Sequence, residues 1–455
     1  MLKRFLAAAL AALALAPAAS AQVTEAQAWS QIRDAAAAMA TLKGAPVGTT
    51  PPVVVVPPPA AELTTAQKAV ALASLPQPKV MFGSVTVPPT ATVAYVPVTL
   101  EGELTSTVYV DVLTQNGSGA LYAYEGGQFS RVDRLLTWKP GDPATQWVTI
   151  PLRATAKDGM WFNLYSPTSP QGAAKGVTVG RVTFKAGAPA QAAPPPYAAA
   201  PLRQPSKGAL VYEFKASEFK ASDAGGQGVY RTRLAHGRTQ DANKEIGYYT
   251  DPALHPGAKP FEIRDGVLVL RAEKFATPMT VTIDGVKRTF EYGSSVLQAN
   301  WLSQLYGYYE WEVQLPSARG TWEGLWLLPS NGSWPPEIDV SESPRNGAIG
   351  PGDTTASHHW GTSADHKAVT LQLNGRKIFG DPTLDFTTGF HTRAVDWRED
   401  WTTFYIDGVE VARYPTTFHK PAFPLMDVTV GGWGGAPDFS KGSTEMLVRA
   451  MRVYQ

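Results

Sequence analysis

None of the 455 residues is a cysteine. That excludes disulfide bridges, a lipid anchor on cysteine, thiol nucleophiles and cysteine-ligated metals. Charge is sparse and balanced: 17% of residues are charged, and 40 basic against 39 acidic residues leave +1. Without a basic excess, neither nucleic acid nor an anionic membrane surface is expected as a partner. Long apolar runs are missing too. The one candidate, Leu6 to Leu15, is too short to span a bilayer comfortably. It follows Lys3 and Arg4 and precedes Ala19-Ser20-Ala21, the layout of a secretory signal peptide over residues 1–21. Cleavage would remove both cations and leave −1. A disulfide-free exported protein suits a bacterial envelope, secreted or periplasmic, with no membrane association after cleavage.

Proline and alanine are plentiful but clustered, and the clusters divide the chain. Residues 22–78 combine an alanine-rich stretch, a Pro51–Pro59 spacer in polyproline geometry and capping boxes at Thr24/Gln27 and Thr64/Gln67, the second opening a short helix over 64–74. Residues 79–186 alternate apolar and polar, as in Thr107-Val108-Tyr109-Val110-Asp111-Val112, and predict an all-β region. Residues 187–206 form an Ala/Pro linker around Pro194-Pro195-Pro196. Residues 207–455 again read as many short strands between turns such as Asp265-Gly266 and Asp407-Gly408. The fold class is mainly β, with the larger C-terminal region a sandwich or jelly roll.

The densest chemistry lies in Glu337-Ile338-Asp339-Val340-Ser341-Glu342. Isoleucine and valine between the acids favour a strand. In a regular strand Glu337 and Asp339 share a face and Glu342 points away. One extra residue within Val340–Glu342, a β-bulge, would bring Glu342 to the same face. Three acids on one face repel and lose solvation, which a core does not call for. Cleavage of a glycosidic bond does: one carboxylate attacks while a second, kept protonated, donates to the leaving oxygen. Like charges this close retain a shared proton near neutral pH. The plain alternative for an isolated E-x-D-x-x-E is an exposed acidic edge or a calcium site.

The flanking sequence resembles glycoside hydrolase family 16, the laminarinase and lichenase group, over about 207–455. Tyr306-Gly307-Tyr308-Tyr309-Glu310, Gly320-Thr321-Trp322-Glu323-Gly324-Leu325-Trp326-Leu327-Leu328-Pro329, His358-His359-Trp360-Gly361, Phe390-His391, Tyr405-Ile406-Asp407-Gly408 and Gly431-Gly432-Trp433 follow the family's motifs in order. The resemblance implies a concanavalin A-like jelly roll bearing a cleft. It also implies a retaining mechanism with Glu337 as nucleophile, Glu342 as acid/base, Asp339 as the assisting carboxylate and His359 beside the cleavage site. Glu323-Gly324 replaces the usual Pro-Ala, Asp427 stands near a frequent asparagine, and Ser294-Ser295-Val296 lacks an arginine often found there. Leu136 to Asp142 with the following strand resembles a Calx-β domain, an immunoglobulin-like sandwich, implying a spacer or a module docking on cell-wall or exopolysaccharide glycan through 79–186.

Aromatic rings stack on the apolar C–H faces of sugars, and Trp334, Trp322 and Trp433 are the expected binding platforms. Trp334 falls in a loop after Asn331-Gly332-Ser333; Trp326, running into Leu327-Leu328, is expected in the core. Tyr248 and Tyr249 resemble a cleft-lining family segment. Together these readings predict a secreted, monomeric endo-hydrolase of β-1,3- or mixed β-1,3-1,4-glucan that requires no cofactor and leaves room for a structural calcium. The alternatives are an exopolysaccharide or galactan depolymerase, a transglycosylase, and a lectin-like glucan binder; the last would not need the acids.

Overall fold

The computed structural model describes residues 63–455. The signal peptide, the first capping box and the polyproline spacer lie outside the described residues. The second capping box forms as expected. Thr64 Oγ1 accepts from Gln67 N at 3.2 Å, Gln67 Oε1 accepts from Thr64 N at 2.9 Å, and helix α1 (Thr65–Ala73) follows. No helix among the described residues is long and apolar enough to cross a membrane.

Residues 79–184 build two sheets. One has four strands centred on Val93–Glu101, the other five centred on Trp161–Tyr165 and Val108–Gln115. The strict alternation of Val93–Glu101 buries Ala94, Val96, Val98 and Leu100 between the sheets, where they meet Phe129, Trp138 and Phe162.

The larger region is a second sandwich, the jelly-roll arrangement expected of it. Its strands are β1 (Val267–Ile283), β2 (Val286–Gln298), β3 (Gly307–Gln314), β4 (Thr321–Pro329), β5 (Glu337–Glu342), β6 (Asp353–Gly361), β7 (His366–Asn374), β8 (His391–Trp397), β9 (Trp401–Ile406), β10 (Val409–Pro415), β11 (Ala422–Val430) and β12 (Thr444–Tyr454). One sheet runs β2-β11-β4-β5-β6-β7 and the other β1-β12-β3-β8-β9-β10, with every one of these pairs antiparallel. Between them lies a core that includes Trp311, Trp397, Leu325, Leu327, Ile338, Val340 and Val428. Because side chains alternate along a strand, burying Leu325 and Leu327 turns Trp322, Gly324 and Trp326 outward. Burying Ile338 does the same for Glu337 and Asp339.

The Ala/Pro segment is not a free tether. Arg203 N donates to Glu410 Oε2 at 2.5 Å and Ser206 N to Asp396 Oδ2 at 3.0 Å. The two sandwiches also touch directly: Thr107 N donates to Arg413 O at 3.1 Å, Arg413 N returns a bond to Thr107 Oγ1 at 3.0 Å, and Tyr109 Oη donates to Val411 O.

Candidate active site

Strand β5 carries the bulge. Against β4, Trp326 pairs with Asp339 and Leu325 with Ser341, so Val340 has no partner. Against β6, Asp339 pairs with Ser357 and Glu342 with Thr355, three residues matched to two. The extra residue is Val340. Its side chain is buried in the core, and Glu342 is thereby re-aimed to the face of Glu337 and Asp339. All three carboxylates line one narrow cavity of about 50 Å³ with Trp322, Gly324, Trp326, Tyr249, Glu245 and Asp427.

Each acid is held differently. Glu337 Oε2 accepts from Trp334 Nε1 at 3.0 Å. Asp339 Oδ2 lies 3.1 Å from His359 Nε2, and the same ring nitrogen is 3.9 Å from Glu337 Oε1. His359 Nδ1 lies 2.9 Å from His366 Nε2 in a near-parallel stack, and Trp334 packs on His366 with centroids 4.9 Å apart. Burial, followed by the charge of Asp339, drives the Glu337 carboxyl well above the usual range. Burial likewise raises Glu342, reinforced by Asp339, Glu323 and Asp427. The cluster therefore holds on to protons that exposed carboxylates would have shed.

Of the expected platforms, Trp322 lines the cavity and meets Trp433 edge-on at 6.0 Å; Trp433 and Trp334 are 39% and 48% exposed, open to a ligand. Tyr249 is at the site, its hydroxyl donating to Glu245 Oε2 at 2.8 Å. Tyr248 is not: as its neighbour on the strand Gly247–Tyr249 it points the other way, packing on His255 and Phe290. Trp326 also departs from expectation. It leaves the core to line the cavity, with Nε1 donating to Asp427 Oδ1 at 2.9 Å. Its spacing of four from Trp322 on one strand already carried that signal.

Asp427, noted in the sequence only as a departure from the family pattern, and Glu245 complete an acidic floor. Asp427, Gly324 and Glu342 form a row across β11, β4 and β5. A side chain at Gly324 would collide with Asp427 Oδ1, so the glycine and the aspartate, both departures from the family pattern, fit one another. Burial, then Glu245, raises Asp427 well above the usual range, and burial pushes Glu245 up to about 7. Glu323, another departure, lies beneath the site. It accepts from Ser341 Oγ and Ser343 N, both at 3.0 Å, and so ties down the strand just past the bulge.

Two packed sheets with paired acids and open indole rings along one face define a β-sandwich of the glycoside hydrolase type. Residues 257–448 match the family described as glycosyl hydrolases family 16. Among curated relatives, this chain is 30% identical over 224 residues to the endo-1,3-1,4-beta-glycanase EglC of Rhizobium meliloti and 31% identical over 224 residues to ExsH, named as the same activity in that organism. Each alignment covers 48% of this chain and 45% of the relative, so the chain spans less than half of either. The structure of a laminarinase catalytic domain from Thermotoga petrophila overlays with a TM-score of 0.43 at 24% identity, covering 54% of this chain and 97% of that one.

Proposed function

We propose that this chain is an exported endo-acting β-glucanase that cleaves β-1,3 or mixed β-1,3-1,4 linkages with retention of configuration. The observation that carries this reading is the bulge at Val340, which gathers Glu337, Asp339 and Glu342 on one cavity wall. In the first step the Glu337 carboxylate attacks the anomeric carbon while protonated Glu342 gives its proton to the departing glycosidic oxygen. The product is a glycosyl ester of Glu337. In the second step Glu342, now a carboxylate, takes a proton from water; the hydroxyl adds to the anomeric carbon and Glu337 leaves. Asp339, within reach of His359, offers the shared proton a third site, and Trp334 orients Glu337 through its indole N–H. Acid/base cleavage of this kind needs no cofactor. The close grouping of Glu337, Asp339 and His359, within 4.8 Å, is accounted for by proton sharing.

The substrate assignment follows the names of the relatives and the row of indoles that a linear glucan would cross. A reducing-sugar screen of laminarin, lichenan, agarose, carrageenan and a bacterial exopolysaccharide tests it, with NMR of the first anomer released. Preferential turnover of laminarin or lichenan with the β-anomer formed first supports the proposal. Release of the α-anomer first would remove the retaining mechanism, and turnover of agarose or carrageenan alone would remove the glucan.

A further inference from the structure

Strands β6 and β7 form a hairpin closed at its turn by Asp365 N on Thr362 O at 3.1 Å and Thr362 N on Asp365 O at 3.2 Å. Its register sets His359 opposite Ala368 and His366 opposite Gly361. The two histidines are therefore diagonal neighbours on one face, and such a pair lies within reach of aromatic side chains. Alanine and glycine are too small to come between them. The imidazoles meet, with His359 Nδ1 2.9 Å from His366 Nε2 and the ring planes 8° apart.

Through this contact His366 touches both supports of the carboxylate cluster. One is Trp334, which packs on His366 with centroids 4.9 Å apart and gives its indole N–H to Glu337 Oε2. The other is His359. Asp339 Oδ2 is buried and makes no aligned hydrogen bond among the described residues, although His359 Nε2 lies 3.1 Å away. A small rotation of the imidazole decides whether that approach becomes a bond, so what holds the ring matters. The tautomers follow from the neighbours. A carboxylate repels a lone pair, so His359 carries its hydrogen on Nε2, toward Asp339. Its Nδ1 is then an acceptor, and His366 Nε2 has to be the donor.

We propose that His366 is a positioning residue for the cleavage reaction: its hydrogen bond keeps the His359 N–H turned to Asp339, and its ring backs the indole that orients Glu337. The inference rests on the roles given above to Glu337 and Asp339. His366 itself is exposed, so its ring is not required to fill a core. An outer hydrogen bond that fixes the tautomer and angle of an inner histidine is how such a side chain acts without touching the reacting atoms.

Two substitutions separate the hydrogen bond from the packing. His366→Phe keeps a flat ring beneath Trp334 and deletes the donor. His366→Gln loses the ring, but its terminal amide can place an N–H where Nε2 stood. On whichever polysaccharide the wild type turns over, kcat should fall about tenfold in His366→Phe with KM unchanged. His366→Gln should lose less. The second measurement needs no turnover: 15N–1H correlation spectra of the full chain with labelled histidines, in alkaline buffer and without substrate. His359 should be the Nε2–H tautomer in the wild type and in His366→Gln, and a mixture in His366→Phe. Wild-type kcat in His366→Phe, or a raised KM with kcat unchanged, would overturn the proposal. So would His359 found as the Nδ1–H tautomer in the wild type. Wild-type inactivity on every glucan would count against the β-glucanase reading alone, and the tautomers would then decide for His366.

Discussion

In the proposed mechanism Glu337 and Glu342, one residue type, hold opposite protonation states a few residues apart. Burial and mutual repulsion raise both, and the Trp334 N–H on Glu337 favours its anion. Glu337→Gln and Glu342→Gln should each lower turnover of the best glucan by at least about 10³-fold with circular dichroism unchanged. Azide should partly restore Glu337→Gly by occupying the nucleophile's place. Retention of full rate in either Gln variant would refute the roles. Glu245 makes a different prediction, about stability. Its pKa is raised from 4.5 to about 7, chiefly by burial, so between those values the folded chain binds more proton than the unfolded one. Stability is then greatest below about pH 4.5 for this group and is lost as pH rises through 7, by at most ~3 kcal/mol. In melting curves across that window, Glu245→Gln should flatten the decline. An unchanged slope would mean that Glu245 is already charged in the folded protein.

At the scale of the element, the bulge decides the site, and Val340 is its removable residue. Deleting Val340 leaves Asp339 opposite Trp326, Ser341 opposite Leu325 and Glu342 opposite Gly324, the pairs β4 already makes. The acids then fall at even spacing in a regular strand, and the Ser341–Glu323 bond can persist. The deletion should cost stability through the lost core valine but keep measurable glucanase activity. Deleting Val340 and Ser341 together turns Glu342 toward the core and should leave none. Equal loss in both variants would show that the bulge does more than set parity. This is also where the sequence was most legible: three acids with odd spacing imply a bulge because strand parity is strict, and alternation with turn residues gives the β class. Trp326 was obscured because Trp-Leu-Leu looks apolar throughout, although parity with Trp322 puts it at the cleft. Asp427 stood out only as a family departure, and its place in the acidic floor, like that of Glu245, was obscured because both reach the site through β11 and the loop before Gly247, pairings with no local signature.

Across the whole molecule, a Pro/Ala stretch usually marks a boundary that few contacts cross, which suggests that 207–455 would stand alone. The packing argues otherwise. Tyr109, from the N-terminal sandwich, belongs to the core of the larger one and is 5% exposed. Its hydroxyl bonds Val411 O, and beside it Thr107 and Arg413 exchange backbone and side-chain bonds. Lys377 Nζ reaches Asp111 at 2.6 Å. The buried Arg413–Glu410 pair, at 2.8 Å, relies on Arg203 N for a further donor. Removing residues before 207 would strip the ring from that core and leave Glu410 short of a partner, a costly change for a buried charge. The full chain should therefore unfold in one calorimetric transition, and the 207–455 fragment should melt several degrees lower. Tyr109→Ala in the full chain should reproduce part of the loss, about 3 kcal/mol by the cost of emptying an aromatic core site. Because Tyr109 docks against β10, in the sheet opposite the cleft, turnover of soluble glucan at low temperature should survive both changes. Two separate transitions, with the fragment melting where its counterpart does in the full chain, would show that the sandwiches merely touch.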